Sequence, residues 1–244
     1  MKQGIFKIAE NSALTSNVYK MVLCGDASDI TAPGQFINIK LDGLYLRRPI
    51  SVYDCNENSV TIIYKVVGRG TEQMSQMQSG EELDVLTGLG NGYDTSLCAE
   101  HAVLLGGGVG VPPLYMLAKT LIAEGNKVSV VLGFNTEDEI FCEEDFKALG
   151  ADVTVTTVDG SYGVKGFVTD ALPENYDHFF TCGPEPMLKA VYKSTSTSGQ
   201  LSFEERMGCG FGACMGCSCK TITGYKRICK DGPVMKKEEI LWED

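Results

Sequence analysis

The sequence is poor in histidine, tryptophan, basic residues and long apolar runs. Among 244 residues there are two histidines and one tryptophan, and 21 basic residues face 32 acidic ones, for a net charge of −11. Such an acidic chain is poorly suited to nucleic acid or to an anionic membrane surface. No apolar run approaches the roughly 20 residues of a membrane-spanning helix, and Met1 to Lys7 contain no signal-peptide core. We expect a cytoplasmic protein that binds neither nucleic acid nor membrane.

The scarcity of histidine also argues against a hydrolase. A serine or cysteine nucleophile requires an adjacent general base, which is most often histidine. The two histidines are His101 and His178, and His178 lies within a strand-like pattern only four residues before Cys182. We interpret both histidines as structural. No catalytic nucleophile and no general base are predicted in this chain.

Cysteine, by contrast, is abundant, and four of the ten cysteines form the pattern C-x4-C-x2-C-x11-C: Cys209, Cys214, Cys217 and Cys229. The first three have the plant-type spacing for a [2Fe–2S] cluster, and the fourth completes the ligand set. A structural zinc knuckle is the alternative, but a zinc ribbon pairs two C-x2-C hairpins and this chain has one. Cys219 is excluded as a ligand because it follows Cys217 by two residues and is expected to point the other way.

The chain divides into three segments that differ in their residue pattern. Up to about residue 95, short runs of β-branched and aromatic residues alternate with turn residues, as in Val18–Leu23, Gln35–Lys40 and Val60–Val67, which indicates a small antiparallel barrel. Between about 100 and 200, strands alternate with helices, which predicts a doubly wound parallel α/β sheet. The remainder is a small cysteine module. The predicted domains are a barrel at 1–97, a nucleotide-binding domain at 98–202 and a [2Fe–2S] module at 203–244.

Two glycine-containing turns in the α/β segment predict a dinucleotide site. The first runs from Gly106 to Pro113 and follows the strand Ala102–Leu105, where glycines let the backbone approach a pyrophosphate at a helix N-terminus. It reads G-x-G-x-x-P and is therefore not the Rossmann fingerprint; simple turn punctuation is the alternative. The second follows the strand His178–Thr181. The predicted nucleotide-contacting residues are Gly107, Gly108, Gly110, Cys182, Gly183 and Pro184.

The strand that ends in Leu132–Glu139 indicates which nucleotide is bound. A 2′-phosphate requires Arg or Lys at this edge of the sheet, whereas the run after the strand is acidic. The sequence therefore favours NAD(H) over NADP(H).

The barrel segment carries a candidate flavin motif, Arg48-Pro49-Ile50-Ser51, which is expected to close one strand-like stretch of the barrel. An arginine can bind a phosphate and a serine three residues later can meet the isoalloxazine edge from the same strand. Taken alone, the motif is equally well explained as a charged strand end. Further along, Gly70 and Thr71 begin a predicted helix over Glu72–Gln78, whose N-terminus could meet a pyrophosphate.

Together these motifs resemble the ferredoxin reductase-like flavoprotein family along nearly the whole chain. That family has an R-x-x-S flavin motif on a barrel, then a G-x-G-x-x-P turn and a C-G-P strand end, which stand here as Arg48–Ser51, Gly108–Pro113 and Cys182–Pro184. Two features depart from the family pattern. Ile50 occupies a position where many members carry an aromatic residue, and the iron–sulfur module is short and C-terminal.

The order of the segments and the run Phe203–Cys217 resemble the electron-transfer subunits of class 1B dihydroorotate dehydrogenases. The resemblance implies a partner subunit that holds FMN and oxidises dihydroorotate in pyrimidine (UMP) biosynthesis, in a dimer of heterodimers. It also implies that FAD lies between the nicotinamide and the cluster. The implied FAD-binding residues are Arg48, Pro49, Ile50, Ser51, Lys65, Val66, Val67, Gly70 and Thr71.

The combination of cofactors has its own logic. A nicotinamide exchanges a hydride and an iron–sulfur cluster exchanges single electrons, so a flavin is required to convert between them. We expect electrons to pass from the partner's FMN to the cluster, then to FAD and NAD+. An alternative is the small subunit of an NADH-dependent ferredoxin oxidoreductase or sulfide dehydrogenase. A non-enzymatic metal-binding redox adaptor is a third possibility, but it would not need two nucleotide turns.

Overall fold

A computed structural model describes residues 1–242, so the last two residues of the predicted C-terminal module lie outside the described range. Among the described residues, no helix is both long enough and apolar enough to cross a membrane. The strands are β1 (Lys2–Ala13), β2 (Val18–Cys24), β3 (Phe36–Ile39), β4 (Arg48–Asn56), β5 (Ser59–Lys65), β6 (Glu82–Leu89), β7 (His101–Gly107), β8 (Lys127–Phe134), β9 (Asp152–Thr157), β10 (Val164–Lys165), β11 (His178–Cys182), β12 (Gly199–Ser202), β13 (Ser218–Thr221), β14 (Gly224–Arg227) and β15 (Val234–Lys236). The α-helices are α1 (Arg69–Gln76), α2 (Pro113–Ala123), α3 (Glu143–Ala148), α4 (Glu185–Ser194) and α5 (Ile228–Asp231).

The first six strands close into the predicted antiparallel barrel, in the order β1-β2-β5-β4-β3-β6. Alternation places one set of side chains in the barrel interior, where Ile37, Ile39 and Ile62 are buried with Met74 of α1. The Arg48–Ser51 motif begins β4, whereas the sequence pattern suggested that it closes a strand. The residues before the motif, 40–47, form a loop and not a strand, so the motif stands at the beginning of β4.

The second unit is a seven-stranded sheet in the order β10-β9-β8-β7-β11-β12-β15, parallel except at its last strand. Its central strands are apolar on both faces because helices cover both sides. Leu104 and Val130 face α2 and α3, while Val103 and Val131 face α4. This confirms the predicted doubly wound arrangement.

The cysteine-bearing segment leaves the sheet and returns to it. After β12 the chain forms a long loop, the hairpin β13–β14 and the single turn α5. Strand β15 then pairs antiparallel with β12, so that Ser202 lies opposite Val234 and Gln200 opposite Lys236. Residues 234–236, which fall in the predicted C-terminal module, therefore form the edge of the nucleotide-binding sheet.

Strand β4 of the barrel also holds the barrel against the sheet. The ring of Tyr53 stacks on that of Tyr115 in α2, with centroids 4.3 Å apart and planes 15° from parallel. The Tyr53 hydroxyl donates to Asp145 in α3 at 2.8 Å, and Lys119 of α2 pairs with Asp54 at 2.9 Å. Aromatic stacking combined with a hydrogen bond is directional, so these contacts fix the orientation of the two units.

Stability should depend on pH through His178, which is 4% exposed on β11. Burial lowers its pKa below the ordinary value of 6.5. The unfolded chain therefore binds the proton more readily, so the free energy of unfolding should fall as pH drops from 6.5 through the lower folded-state pKa, with a slope of at most about 1.4 kcal/mol per pH unit. Urea unfolding of the wild type and of His178→Gln between pH 7 and pH 5 tests this expectation. An unchanged slope in the variant would contradict it.

Candidate functional site

The four predicted cluster cysteines come together in two pairs. Cys209, Cys214 and Cys217 lie on the loop after β12, and Cys229 lies on α5. The sulfur atoms of Cys209 and Cys214 are 3.5 Å apart, and the backbone N–H of Cys229 donates to the Cys217 sulfur at 3.5 Å. Cys217 and Cys229 are each 1% exposed. Within residues 1–242, no three His, Cys, Asp or Glu side chains converge as they would on a single metal ion. Two pairs of thiols suit two iron atoms better than one zinc ion.

The loop directs backbone N–H groups at its first sulfur. Burial raises the pKa of the Cys209 thiol, but the N–H groups of Cys214, Phe211 and Ala213, together with the Cys214 thiol, outweigh burial and lower that pKa to about 6. Burial raises the pKa of the Cys229 thiol to about 12, reinforced by the neighbouring Cys217. N–H groups that stabilise a thiolate also stabilise the sulfur of a cysteine bound to iron.

Two residues that the motif analysis did not identify hold this loop in place. Arg227 donates to the Gly212 carbonyl at 2.7 Å and is ion-paired with Asp231 at 3.1 Å. Asn38 of the barrel donates from Nδ2 to the Cys209 carbonyl at 3.3 Å. The sequence offers a signal for Asn38, because it is the one polar residue in the apolar strand Phe-Ile-Asn-Ile. No comparable signal marks Arg227, since it follows Lys226 in a polar strand.

The flavin motif lies on the strand next to Asn38. Pro49 pairs with Asn38 and Ser51 pairs with Phe36 across β3–β4. Paired residues share a face of the sheet, and Phe36 packs outside the barrel in the same apolar cluster as Cys217. Pro49 and Ser51 therefore face the side of the barrel on which the cysteine module lies. Ile50 points the other way and packs against the barrel core.

Arg48 and the start of α1 meet at the end of the barrel. A Cβ on Gly70 would fall 2.1 Å from Arg48 Nε, so only glycine lets the arginine lie across this turn. Thr71 stabilises the turn, since its hydroxyl accepts from the N–H of Val67 at 2.9 Å and donates to the Gly68 carbonyl at 3.1 Å. The structure thus brings together a guanidinium group and a helix N-terminus, both of which favour a phosphate.

The remaining predicted flavin residues lie at and just after the end of β5, the strand that approaches the nucleotide turn. Lys65 ends β5, and Val66 and Val67 follow it, with Val67 79% exposed. Strand β5 approaches the turn Gly108–Gly110 to within 8 Å between Cα atoms. The proposed flavin and nicotinamide regions are therefore neighbours across the junction of barrel and sheet.

The two nucleotide turns are in direct contact. A Cβ on Gly110 would lie 2.3 Å from the Cys182 carbonyl oxygen, and one on Gly183 would lie 3.2 Å from the Gly107 nitrogen. Gly108 has φ +52° and open space around it, so its backbone is free to face a ligand. The parallel strands β7 and β11 are neighbours, which brings their carboxyl ends to one edge of the sheet.

Cys182 and Pro184 complete this edge. Cys182 is half-buried, and burial raises the pKa of its thiol to about 12. The thiol is therefore protonated at neutral pH, which argues against a nucleophilic role. Pro184 is exposed and immediately precedes α4.

A separate depression of about 740 Å³ lies at the opposite, amino-terminal edge of the sheet, lined among others by His101, Lys127 and Asp177. None of the predicted site residues lines it. The predicted cofactor-binding residues lie instead at the carboxyl-terminal edge of the sheet and on the adjoining barrel face.

Gly110→Ala should weaken NADH binding. The added methyl group would meet backbone atoms of Cys182 and Gly183, so the two turns must move apart, at a cost of about 1–3 kcal/mol. We expect the dissociation constant for NADH, measured by titration, to rise at least about tenfold. Gly125→Ala is the matched control because Gly125 has φ +91° but no atom near its missing Cβ. Equal losses of affinity in the two variants would refute the role of the Gly110 contact.

The sequence comparisons agree with this arrangement. Residues 204–241 match the iron-sulfur cluster binding domain of dihydroorotate dehydrogenase B, and residues 104–193 match the oxidoreductase NAD-binding domain. The predicted iron–sulfur and NAD-binding functions are confirmed by these matches. A solved chain of an NADH-dependent reduced ferredoxin-NADP oxidoreductase superposes with a TM-score of 0.90 at 31% identity, covering 98% of this chain and 90% of that one.

Full-length relatives place the chain in a family. A protein of Fusobacterium nucleatum is 46% identical over 250 residues, covering 96% of both chains, and one of Bacillus pumilus is 45% identical over 255 residues, covering 98% of both. Both are named dihydroorotate dehydrogenase B (NAD(+)), electron transfer subunit. This chain therefore belongs to the family of electron transfer subunits of NAD(+)-dependent dihydroorotate dehydrogenase B.

Proposed function

We propose that this chain carries electrons between NAD(H) and a catalytic partner subunit that oxidises dihydroorotate. One observation carries the proposal: the three candidate cofactor regions adjoin one another. Strand β5, which ends at the predicted flavin residue Lys65, lies beside the Gly108–Gly110 turn. Strand β3, the neighbour of the flavin motif, touches the cysteine loop through Asn38 and Cys209. A relay requires such a continuous arrangement.

FAD would be held by the barrel. We propose that the Arg48 guanidinium and the N-terminus of α1 bind its pyrophosphate, since both favour anions and lie side by side at Gly70. Pro49, Ile50, Ser51, Lys65, Val66, Val67 and Thr71 would complete the site. When bound, FAD exchanges a hydride with nicotinamide and single electrons with an iron–sulfur cluster.

The [2Fe–2S] cluster would be held by two cysteines on each iron. The pair Cys209 and Cys214, at a sulfur separation of 3.5 Å, would bind one iron, and the buried pair Cys217 and Cys229 the other. Cys219 lies on β13 outside this set. We propose that the backbone N–H groups around Cys209 stabilise the negative charge of the cluster sulfurs.

NAD would bind at the carboxyl edge of the sheet, on the turns that contain Gly107, Gly108 and Gly110 and on Cys182, Gly183 and Pro184. The close contact of Gly110 with Cys182 makes one continuous backbone surface from the two turns. Glycine turns before α2 leave backbone N–H groups directed at the pyrophosphate.

The catalytic partner would dock on the cysteine module. Phe211 and Met215 lie between the ligands on the loop and are 43% and 62% exposed, although both are large and apolar. Exposed apolar side chains beside a redox centre favour a protein partner. We propose that this partner contains FMN and forms a dimer of heterodimers with this chain in the cytoplasm. We also propose domain boundaries at 97 and 202, with β15 of the C-terminal module returning to the sheet of the second domain.

The decisive experiment uses the chain co-purified with its catalytic partner. We expect flavin and iron–sulfur absorbance in the complex, and NAD+ reduction that depends on dihydroorotate. Cys214→Ser should lose most of its iron and this activity while keeping flavin, because Cys214 would be an iron ligand. Cys219→Ser is the matched control and should retain iron. Wild-type iron content in Cys214→Ser would show that the ligand set is wrong. Activity with reduced ferredoxin or sulfide, and none with dihydroorotate, would favour the alternative suggested by the ferredoxin-NADP oxidoreductase fold.

The acidic run after β8 should govern nucleotide choice. Asp138 is exposed beside Glu137 and Glu139 at the carboxyl edge, where a 2′-phosphate would be repelled. Asp138→Arg should raise the ratio of kcat/KM for NADPH over NADH by about tenfold, because arginine binds phosphate through paired hydrogen bonds. Asp152→Arg makes the same charge change at the start of β9, on the far edge of the sheet. An equal shift of the kcat/KM ratio in that control would show that the change in net charge, and not the position of the arginine, causes the effect.

A further inference from the structure

Asn38 occupies an unusual position for a polar residue. It is 1% exposed on β3, between Pro49 of the flavin motif on one side and Leu86 of β6 on the other. Its side chain points out of the barrel and donates to the carbonyl of Cys209 at 3.3 Å. A single side chain thus connects the strand next to the flavin motif with the first cluster cysteine.

The orientation of the amide is determined by its surroundings. Only the NH2 group can face the Cys209 carbonyl, because the opposite orientation would set two oxygens against each other. The amide oxygen Oδ1 is then buried, with no hydrogen-bond partner in the described part of the chain. Burial of an unpaired polar atom is unfavourable. An aliphatic side chain would avoid that cost but would remove the donor to the Cys209 carbonyl, so the contact with the cysteine loop accounts for asparagine here.

The cysteine loop is shaped to receive this amide. Gly210 is buried with φ +77°, and a Cβ at this position would fall 2.3 Å from Asn38 Nδ2. The amide of Asn38 therefore fills the space that the missing side chain of Gly210 leaves, and it bonds to the adjacent Cys209 carbonyl.

The barrel side of the contact is rigid. Arg47 donates to the backbone carbonyl of Asn38 at 3.3 Å and to that of Asp84 at 3.0 Å, and it also pairs with the Asp84 carboxylate at 3.0 Å. These bonds tie β3 to β6 beside Asn38. A loop bound to this strand is consequently bound to a fixed reference point on the barrel.

We propose that Asn38 is a positioning residue that fixes the Cys209 loop against β3 and thereby sets the separation between the flavin-binding strand and the cluster. The inference rests on the proposed function, since it concerns electron transfer between FAD and the [2Fe–2S] cluster. Electron transfer slows steeply with distance, so a loop that is held against β3 by one hydrogen bond and one close contact should lose its position on the barrel when either is removed.

Asn91 provides a matched control because it is a second amide that ties the barrel to the C-terminal segment. Its Nδ2 donates to the Val234 carbonyl at 2.7 Å and to the Asp231 carbonyl at 3.4 Å, and its Oδ1 accepts from the Val234 N–H at 3.1 Å. These side-chain bonds reach β15 and the last residue of α5, and they do not reach the loop that carries Cys209. A general loosening of the C-terminal segment should therefore follow from Asn91→Leu, whereas Asn38→Leu should affect the cluster specifically.

The test uses the chain loaded with FAD and cluster, in complex with its catalytic partner. NADH reduces FAD by two electrons as a hydride, and one electron then reduces one iron of the oxidised cluster. Stopped-flow absorbance follows both steps. For Asn38→Leu we expect unchanged flavin reduction, slower cluster reduction because the Cys209 loop loses the hydrogen bond that holds it against β3, and an altered electron paramagnetic resonance spectrum of the reduced cluster. Loss of iron with flavin retained would support the same role, provided that Asn91→Leu keeps its iron.

Several outcomes would overturn the inference. One is a wild-type rate of cluster reduction together with a wild-type spectrum of the reduced cluster in Asn38→Leu. Another is an equal change of both quantities in Asn91→Leu. Gly210→Ala supplies an independent arm: it should slow cluster reduction in the wild type and have a smaller effect when Asn38 is alanine, because the methyl group then meets no amide. Additive effects would contradict a direct contact. If wild-type NADH-reduced flavin never reduces the cluster, the proposed function itself fails, which separates that result from a failure of the Asn38 role.

Discussion

The contact of Tyr53 with Tyr115 and Asp145 determines how the barrel meets the parallel sheet. A stacked ring pair 4.3 Å apart with a hydrogen bond at its edge permits little rotation. Tyr53 lies on β4 only two residues after Ser51, so the strand that presents the flavin motif is also the strand that anchors the nucleotide-binding unit. The separation between the flavin region and the nicotinamide region therefore follows from one short strand.

Close backbone approach is the second constraint, and glycine satisfies it at three junctions. Gly70 admits Arg48, Gly110 admits the Cys182 carbonyl, and Gly210 admits the Asn38 amide. Each junction joins segments that are distant in sequence, and each lies at a different candidate cofactor region. Each of these glycines therefore leaves room for a second segment to pack against its turn.

The cysteine module is held by the sheet at both of its ends. It leaves from β12 and returns through β15, which pairs with β12, so the loop between them is closed by backbone hydrogen bonds. Within that frame, Arg227 fixes the Gly212 carbonyl and Asn38 fixes the Cys209 carbonyl. A redox loop supported from the sheet, from its own helix turn and from the barrel has little freedom to move relative to either nucleotide region.

The barrel, the doubly wound sheet and the four cluster cysteines are predictable from the sequence, because strand alternation, strand–helix alternation and ligand spacing are local patterns. The sequence also identified both glycine turns and the Arg48–Ser51 motif. It could not reveal that β15 completes the nucleotide-binding sheet, since a three-residue edge strand has no distinctive pattern. Nor could it pair Asn38 with Cys209, 171 residues apart, or Tyr53 with Asp145, 92 residues apart. Such contacts depend on how whole units pack, and only the tertiary structure decides that.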